Sequence, residues 1–258
     1  SAAPQPVSLW QMEPEGGCCV HSREDISSLF TEETSNFKQK CRFFDSIITR
    51  LTGLQELSSQ FCAVRRVRGD GNCFYRAFCF AHLESVLHNA RALQRWDKMI
   101  RSSEALLSAG FEENSFRDHL NTVNQDVVEQ CQAHEQDDAL LRLFNQQPAS
   151  DGAVQYLRLL TSAHLQSHAH FFCHFVEAPD LRAYCRQEVE AMAMESDHVD
   201  ILALAQALDV CVHIVSMEGD ERQLAHHVIP EGAEPSLHLL YQTSHYNILY
   251  PRTPPPPL

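Results

Sequence analysis

Apolar residues recur along most of this chain at helical spacing, and only near its end does the pattern shorten to β-branched runs and alternation. Phe74, Ala77, Phe78, Ala81 and Val86 mark one apolar stripe, so a helix is expected to begin directly after Cys73. Further helical stretches are predicted around 90–108 (ended by Gly110), 115–131, 136–145, 151–166 and 180–193. Asp197 and Asp200 have the spacing of a reciprocal N-terminal cap, and Ile201, Leu204 and Leu208 then face inward, which predicts another helix. Val210–Val215 and parts of Ala225–Ile229 are β-branched. Leu237–Tyr241 and His245–Tyr250 read as a hairpin joined by the three residues Gln242, Thr243 and Ser244. Together these elements predict an α+β fold, a helical body packed on a small, mainly antiparallel C-terminal sheet.

The ends of the chain are patterned differently. Residues 1–36 mix Pro, Gly, Ser and acids with little periodicity and read as a disordered extension. Residues 251–258 form a Pro-rich tail, leaving 37–250 as one continuous domain without internal repeats. With 258 residues, 44% hydrophobic and 21% charged, such a domain has enough sequence for a core without covalent staples. The formal charge of −14 argues against nucleic acid as a partner and suits one with a basic face. Ten cysteines lie scattered with no Cys-x-x-Cys pair, so neither a zinc ribbon nor a redox motif is expected. No cationic start leads into an apolar run, and no run approaches the ~20 residues of a membrane span. With Ser1 rather than Met at the start, a preceding segment is expected. Scattered free thiols fit a reducing compartment, so a cytoplasmic, or also nuclear, location is expected.

Chemistry concentrates in Gly69-Asp70-Gly71-Asn72-Cys73. Two glycines within three residues allow a sharp turn that presents N–H groups inward. The helix that follows puts the Cys73 thiol at a helix N-terminus, where unpaired N–H groups favour a thiolate. Backbone N–H groups of Asp70, Asn72 or Cys73 are candidates for an oxyanion hole, with the Asp70 side chain fixing the loop. A capped helix carrying a merely buried cysteine fits the same spacing. At the other end, His245 and Asn247 stand two apart on a predicted strand and so share a face. Asn247 can accept from one ring nitrogen of His245 and leave the other for Cys73, the arrangement of a Cys–His–Asn hydrolase. A lone strand histidine among 15 is otherwise a structural residue.

Gly-Asp-Gly-Asn-Cys-Phe-Tyr-Arg-Ala at 69–77, with His-Tyr-Asn-Ile-Leu-Tyr at 245–250, resembles the otubain branch of the OTU deubiquitinases. The resemblance extends through Leu157–Ser162, Glu195–His198 and Ala203–Leu208, covering about 40–250. Asn247, in its Thr243-Ser244-His245 context, is more similar to the second otubain paralogue, since the first carries Asp at that position. The resemblance implies a papain-like OTU fold and a thiol-dependent hydrolase that cleaves isopeptide bonds between the ubiquitin C-terminus and lysine, in polyubiquitin chains. It implies Cys73 as nucleophile, His245 as general base and then acid, Asn247 as its orienting partner, and Asp70 as organiser of the oxyanion loop. No metal or organic cofactor is implied. The alternative is a non-catalytic module that binds ubiquitin or ubiquitin-conjugating enzymes and so inhibits conjugation. Residues 37–60 match the family loosely and 1–36 do not match it.

Other signals point to structure. His164, His168, His170 and His174 lie at i, i+4 spacing, but no His-Glu-x-x-His occurs and Phe171, Phe172 and Phe175 suggest packing. Arg65, Arg66 and Arg68 read as a solvated basic face on an edge segment, and Glu218–Arg222 as a polar hairpin loop. Cys18-Cys19 lacks the neighbouring anchor that a lipidation site needs.

Overall fold

The computed structural model of the chain describes residues 17–30, 44–87, 91, 94, 103–121, 136–176, 180–218 and 224–252. One six-stranded sheet runs in the order β1-β2-β6-β5-β3-β4. Its strands are β1 (Val20–Asp25), β2 (Phe61–Val67), β3 (Val212–Ser216), β4 (Ala225–Ile229), β5 (Leu237–Gln242) and β6 (His245–Pro251). Every neighbouring pair is antiparallel except β3 and β5, so the sheet is mainly antiparallel as expected. It is not confined to the C-terminal part, because β1 and β2 form one edge of it.

Strand β1 lies inside the stretch read as disordered, so that expectation fails for residues 17–30. Cys19 and Val20 are buried in the main core, and Ile26 and Leu29 in a second cluster across the sheet. Among residues 17–30 only Cys19, Val20, Ile26 and Leu29 are buried, at no regular spacing, which hides the strand in a polar sequence. Residues 1–16 and 31–36 lie outside the described residues. Being covered by β1, strand β2 is internal, and the basic face read as solvated is not so. Arg65 is 4% exposed. It donates from Nη2 to Glu84 at 3.1 Å, from Nη1 to the His21 carbonyl at 2.8 Å and from Nε to the Tyr250 hydroxyl at 2.8 Å.

The helices are α1 (Phe44–Gln60), α2 (Cys73–Leu87), α3 (Glu104–Ser108), α4 (Glu113–Asn121), α5 (Gln136–Phe144), α6 (Gln147–Ser167), α7 (Ala169–Phe172), α8 (Leu181–Tyr184) and α9 (His198–Leu208). Helix α2 carries more than a stripe: it is buried nearly all round, packed between β5 and β6 on one side and α6 on the other. Such a helix must be apolar on every face or pair its polar groups, and Arg76 and Glu84 are both ion-paired. The expected helices at 90–108 and 115–131 appear as α3 and α4, with most of the rest outside the described residues. The expected helix at 180–193 breaks after α8 into a π-helical turn, Cys185–Val189, and then bends, with Ala193 at φ +62°. The reciprocal cap of α9 forms as read, Asp197 N–H donating to Asp200 at 3.0 Å.

The hairpin before β6 is tighter than expected. Gln242 pairs with His245, leaving Thr243 and Ser244 as a two-residue turn with φ +55° and +57°. Positive φ at both central residues matches the right-handed strand twist, the reason such turns dominate short hairpins.

Candidate active site

The turn before α2 is held in shape by contacts that only these residues can make. Gly71 has φ +74°, and a Cβ there would stand 2.2 Å from the Ala193 carbonyl oxygen. Asp70 Oδ1 accepts from the Asn72 N–H at 3.1 Å and from Arg76 Nη1 at 2.7 Å. Its Oδ2 accepts from Arg68 Nε at 3.1 Å. Burial pushes the Asp70 carboxyl up, but the Arg76 guanidinium outweighs it and holds the pKa below the usual carboxylate value. An ionised Asp70 therefore braces the loop. In doing so it occupies the Asn72 N–H, which removes that group from the oxyanion candidates. The N–H of Cys73, first residue of α2, has no intrahelical acceptor and remains a candidate, as does that of Asp70.

The Cys73 thiol is 6% exposed and opens on a cavity of about 20 Å³, lined also by Glu195, Tyr241 and Tyr246. That is room for about one water. Burial dominates the thiol and pushes its pKa up to about 11, although the N–H groups of Tyr246 and Phe74 and the charge of Arg76 pull it down. Burial thus opposes the thiolate that the helix terminus favours. Dry surroundings outweigh the helix-end N–H groups.

Strand β6 delivers the second half of the site. His245 Nε2 lies 3.2 Å from Asn247 Oδ1, which also accepts the Val67 N–H at 3.0 Å. With an amide oxygen as partner, Nε2 carries the proton and Nδ1 is left as the basic nitrogen. Tyr246 lines the same cavity as Cys73, and its N–H is among the groups that lower the thiol pKa, so the residue just after His245 stands beside the thiol. The Tyr246 ring packs edge-on against Phe74 at 5.4 Å, fastening β6 to α2. Cys73, from one end of the chain, is thus brought against β6, the strand from the other end that carries His245 and Asn247.

Two buried arginines complete the surroundings, and both are marked in the sequence only as charges inside apolar helical runs. Arg76 pairs with Asp70 and, at 3.1 Å, with Asp151. Arg158 on α6 reaches Gly71 and Asn72. Ala193 and Glu195 also belong to the site, but an irregular segment leaves no periodic signal.

Away from this site, His164 stacks on His168 at 4.2 Å, and among the described residues no group of His, Cys, Asp or Glu is arranged to hold a metal. The three nearby phenylalanines pack ring to ring as expected, Phe171 on Phe172 at 5.0 Å and on Phe175 at 5.1 Å, although Phe171 and Phe175 are 42% and 57% exposed. No described helix is long and apolar enough to cross a membrane. A wider hollow of about 780 Å³ between α9 and β4 contains none of the site residues.

The sequence matches the family described as Peptidase C65 Otubain over residues 19–251, which places the family boundary at β1 and not at residue 37. It is 46% identical to human (Homo sapiens) ubiquitin thioesterase OTUB2 over 199 residues, 76% of this chain and 85% of that protein. Against human ubiquitin thioesterase OTUB1 the identity is 44%, covering 76% of this chain and 73% of the other. A solved complex of h/ceOTUB1 with ubiquitin aldehyde and UBC13~Ub superposes with a TM-score of 0.81 at 26% identity, covering 92% of both chains.

Proposed function

Because the chain belongs to the otubain family of C65 peptidases, which are cysteine-type deubiquitinases, we propose that it hydrolyses isopeptide bonds between the ubiquitin C-terminus and lysine through Cys73, His245 and Asn247. One observation carries this reading. The thiol at the first position of α2 lies against the β6 peptide that follows His245, whose ring is already oriented by Asn247.

His245 Nδ1 takes the Cys73 proton as the sulfur adds to the glycine carbonyl carbon. The resulting oxyanion accepts from the Cys73 and Asp70 N–H groups, each such donor being worth about 3–4 kcal/mol. As the C–N bond breaks, the imidazolium returns its proton to the departing lysine amine. Water, deprotonated by His245, then cleaves the thioester and restores the thiol. A resting pKa of about 11 sets ionisation at pH 7 back by about 5 kcal/mol at roughly 1.4 kcal/mol per unit. Substrate binding must recover that through the imidazolium pair and a rearranged cavity.

The same closed cavity favours a second reading, a module that binds ubiquitin and a ubiquitin-charged conjugating enzyme without turnover. Structures similar to this one hold such complexes. Di-ubiquitin cleavage abolished by Cys73→Ala supports the hydrolase. Inhibition of conjugation by both proteins alike, with no cleavage by either, overturns it in favour of the binder.

A further inference from the structure

We infer that Arg158 is a positioning residue for the reaction: by tying Gly71 and Asn72 to residues 189–194 it holds the Cys73 N–H on the developing oxyanion. The inference rests on the deubiquitinase reading.

Arg158 sits on α6 with its side chain fully buried. Nη2 donates to Asn72 Oδ1 at 2.9 Å, to the Gly71 carbonyl at 3.1 Å and to the Met194 carbonyl at 2.7 Å, while Nη1 donates to the Val189 carbonyl at 3.1 Å. One planar fork therefore joins two separate strips of chain, the turn before Cys73 and the irregular segment after the π-helical turn. The join is reinforced where the Ala193 N–H donates to the same Asn72 Oδ1 at 2.8 Å. Below the fork the guanidinium lies on the Tyr75 ring at 4.4 Å, so its plane is set by α2 itself.

The arrangement has a cost that general packing does not explain. Arg158 Nε is buried with no hydrogen-bond partner, and among the described residues no carboxylate forms an ion pair with this cation. Asp200 and Asp70 are near enough to act on its charge, but neither makes a contact with it. A buried cation whose acceptors are all neutral is unusual outside functional sites. What it fixes is specific. Asp70 braces the turn from the side of Arg68 and Arg76, and Arg158 braces it from the opposite side. Between them the Gly71 carbonyl, both ends of Asn72 and hence the peptide bearing the Cys73 N–H are held. Its positive charge is also close enough to Cys73 to act on that group.

A lysine keeps the charge and loses the fork: its single ammonium gives up the Nη1 bond to Val189 and the flat stacking on Tyr75 that hold the Nη2 contacts in place. Arg158→Lys is therefore expected to lower kcat on a fluorogenic ubiquitin amide about 10- to 100-fold, with KM within about threefold. Affinity for ubiquitin aldehyde, whose adduct places an oxygen at the oxyanion position, falls by a similar factor. Alkylation of Cys73 by iodoacetamide, which forms no oxyanion, stays within about threefold. Asn72→Ala removes one acceptor and leaves Arg158 its bonds to Gly71, Val189 and Met194, so it carries the same comparison should Arg158→Lys not fold. In the double variant the losses do not add. Unchanged kcat in a folded variant, or hydrolysis and alkylation falling together, overturns the inference. A wild-type protein that is alkylated yet neither cleaves ubiquitin substrates nor takes the aldehyde overturns the deubiquitinase reading, and this inference with it.

Discussion

Replacing Gly71 with alanine disturbs the turn before Cys73, the proposed oxyanion loop, without touching the Cys73 or His245 side chains. The new Cβ would stand 2.2 Å from the Ala193 carbonyl oxygen, and ordinary contact begins at 3.4 Å, so the loop and the 193 strip must part by about 1 Å. Backbone on both sides has to give, because Ala193 is itself at φ +62° and is tied to Asn72. A misplacement of this size at a reacting centre costs about 10²-fold in rate. The left-handed φ adds about 1–2 kcal/mol against alanine, which lowers Tm by roughly 2–8 °C in a domain of this size. Steady-state hydrolysis of a fluorogenic ubiquitin amide, beside a thermal melt of the same preparation, separates the two effects. Gly71→Ala is expected to remain folded well above assay temperature with kcat down about 100-fold. Wild-type kcat in that variant would refute the claim that this close approach sets the geometry of the site.

Three more outcomes are expected. Asn247→Ala should cut kcat about 100-fold or more, since His245 loses its orienting acceptor, and should destabilise by about 1–3 kcal/mol, since the Val67 N–H is left buried without its acceptor. Asn247→Asp keeps both acceptor contacts and should restore most activity; equal losses in the two variants would contradict the assigned role. Iodoacetamide alkylation of Cys73 in the resting protein should rise about tenfold per pH unit from 7 towards the thiol pKa of about 11, whereas a plateau already reached at pH 7 would mean a resting ion pair. His82 is buried with its pKa lowered to about 4 by desolvation. The unfolded chain takes up that proton first, so this contribution is full above pH 6.5 and is lost as pH falls towards 4, about 3 kcal/mol in all. Urea melts of His82→Gln should show a correspondingly shallower loss over that window, and an unaltered slope would contradict it.

What the sequence made legible depended on how regular the backbone is around each residue. Cys73 and His245 stand at the starts of α2 and β6, regular elements whose periods show in the pattern, and Asn247 follows from the two-residue repeat of a strand. Asp70 was readable from its glycine neighbours. Strand β1 was not, because an edge strand with one buried face in a polar stretch alternates too weakly to be told from a loop. The break after Tyr184 and the turn at Ala193 follow from tertiary contacts with Arg158 and Gly71, which no local window contains. The upward push on the Cys73 pKa was hidden for a related reason. Helix-end N–H groups can be inferred from position, but the burial that overrides them comes from Tyr241, Tyr246 and Glu195, more than 100 residues away in sequence.

The central claim is that the sulfur of Cys73 attacks the ubiquitin C-terminus with help from His245. Intact mass spectrometry after incubation with ubiquitin bearing a C-terminal electrophile tests it most directly. The account predicts one adduct per chain, mapped to Cys73 by peptide fragmentation, absent in Cys73→Ala and formed far more slowly in His245→Ala. An adduct on another cysteine, or labelling that persists at full rate in Cys73→Ala, would contradict it.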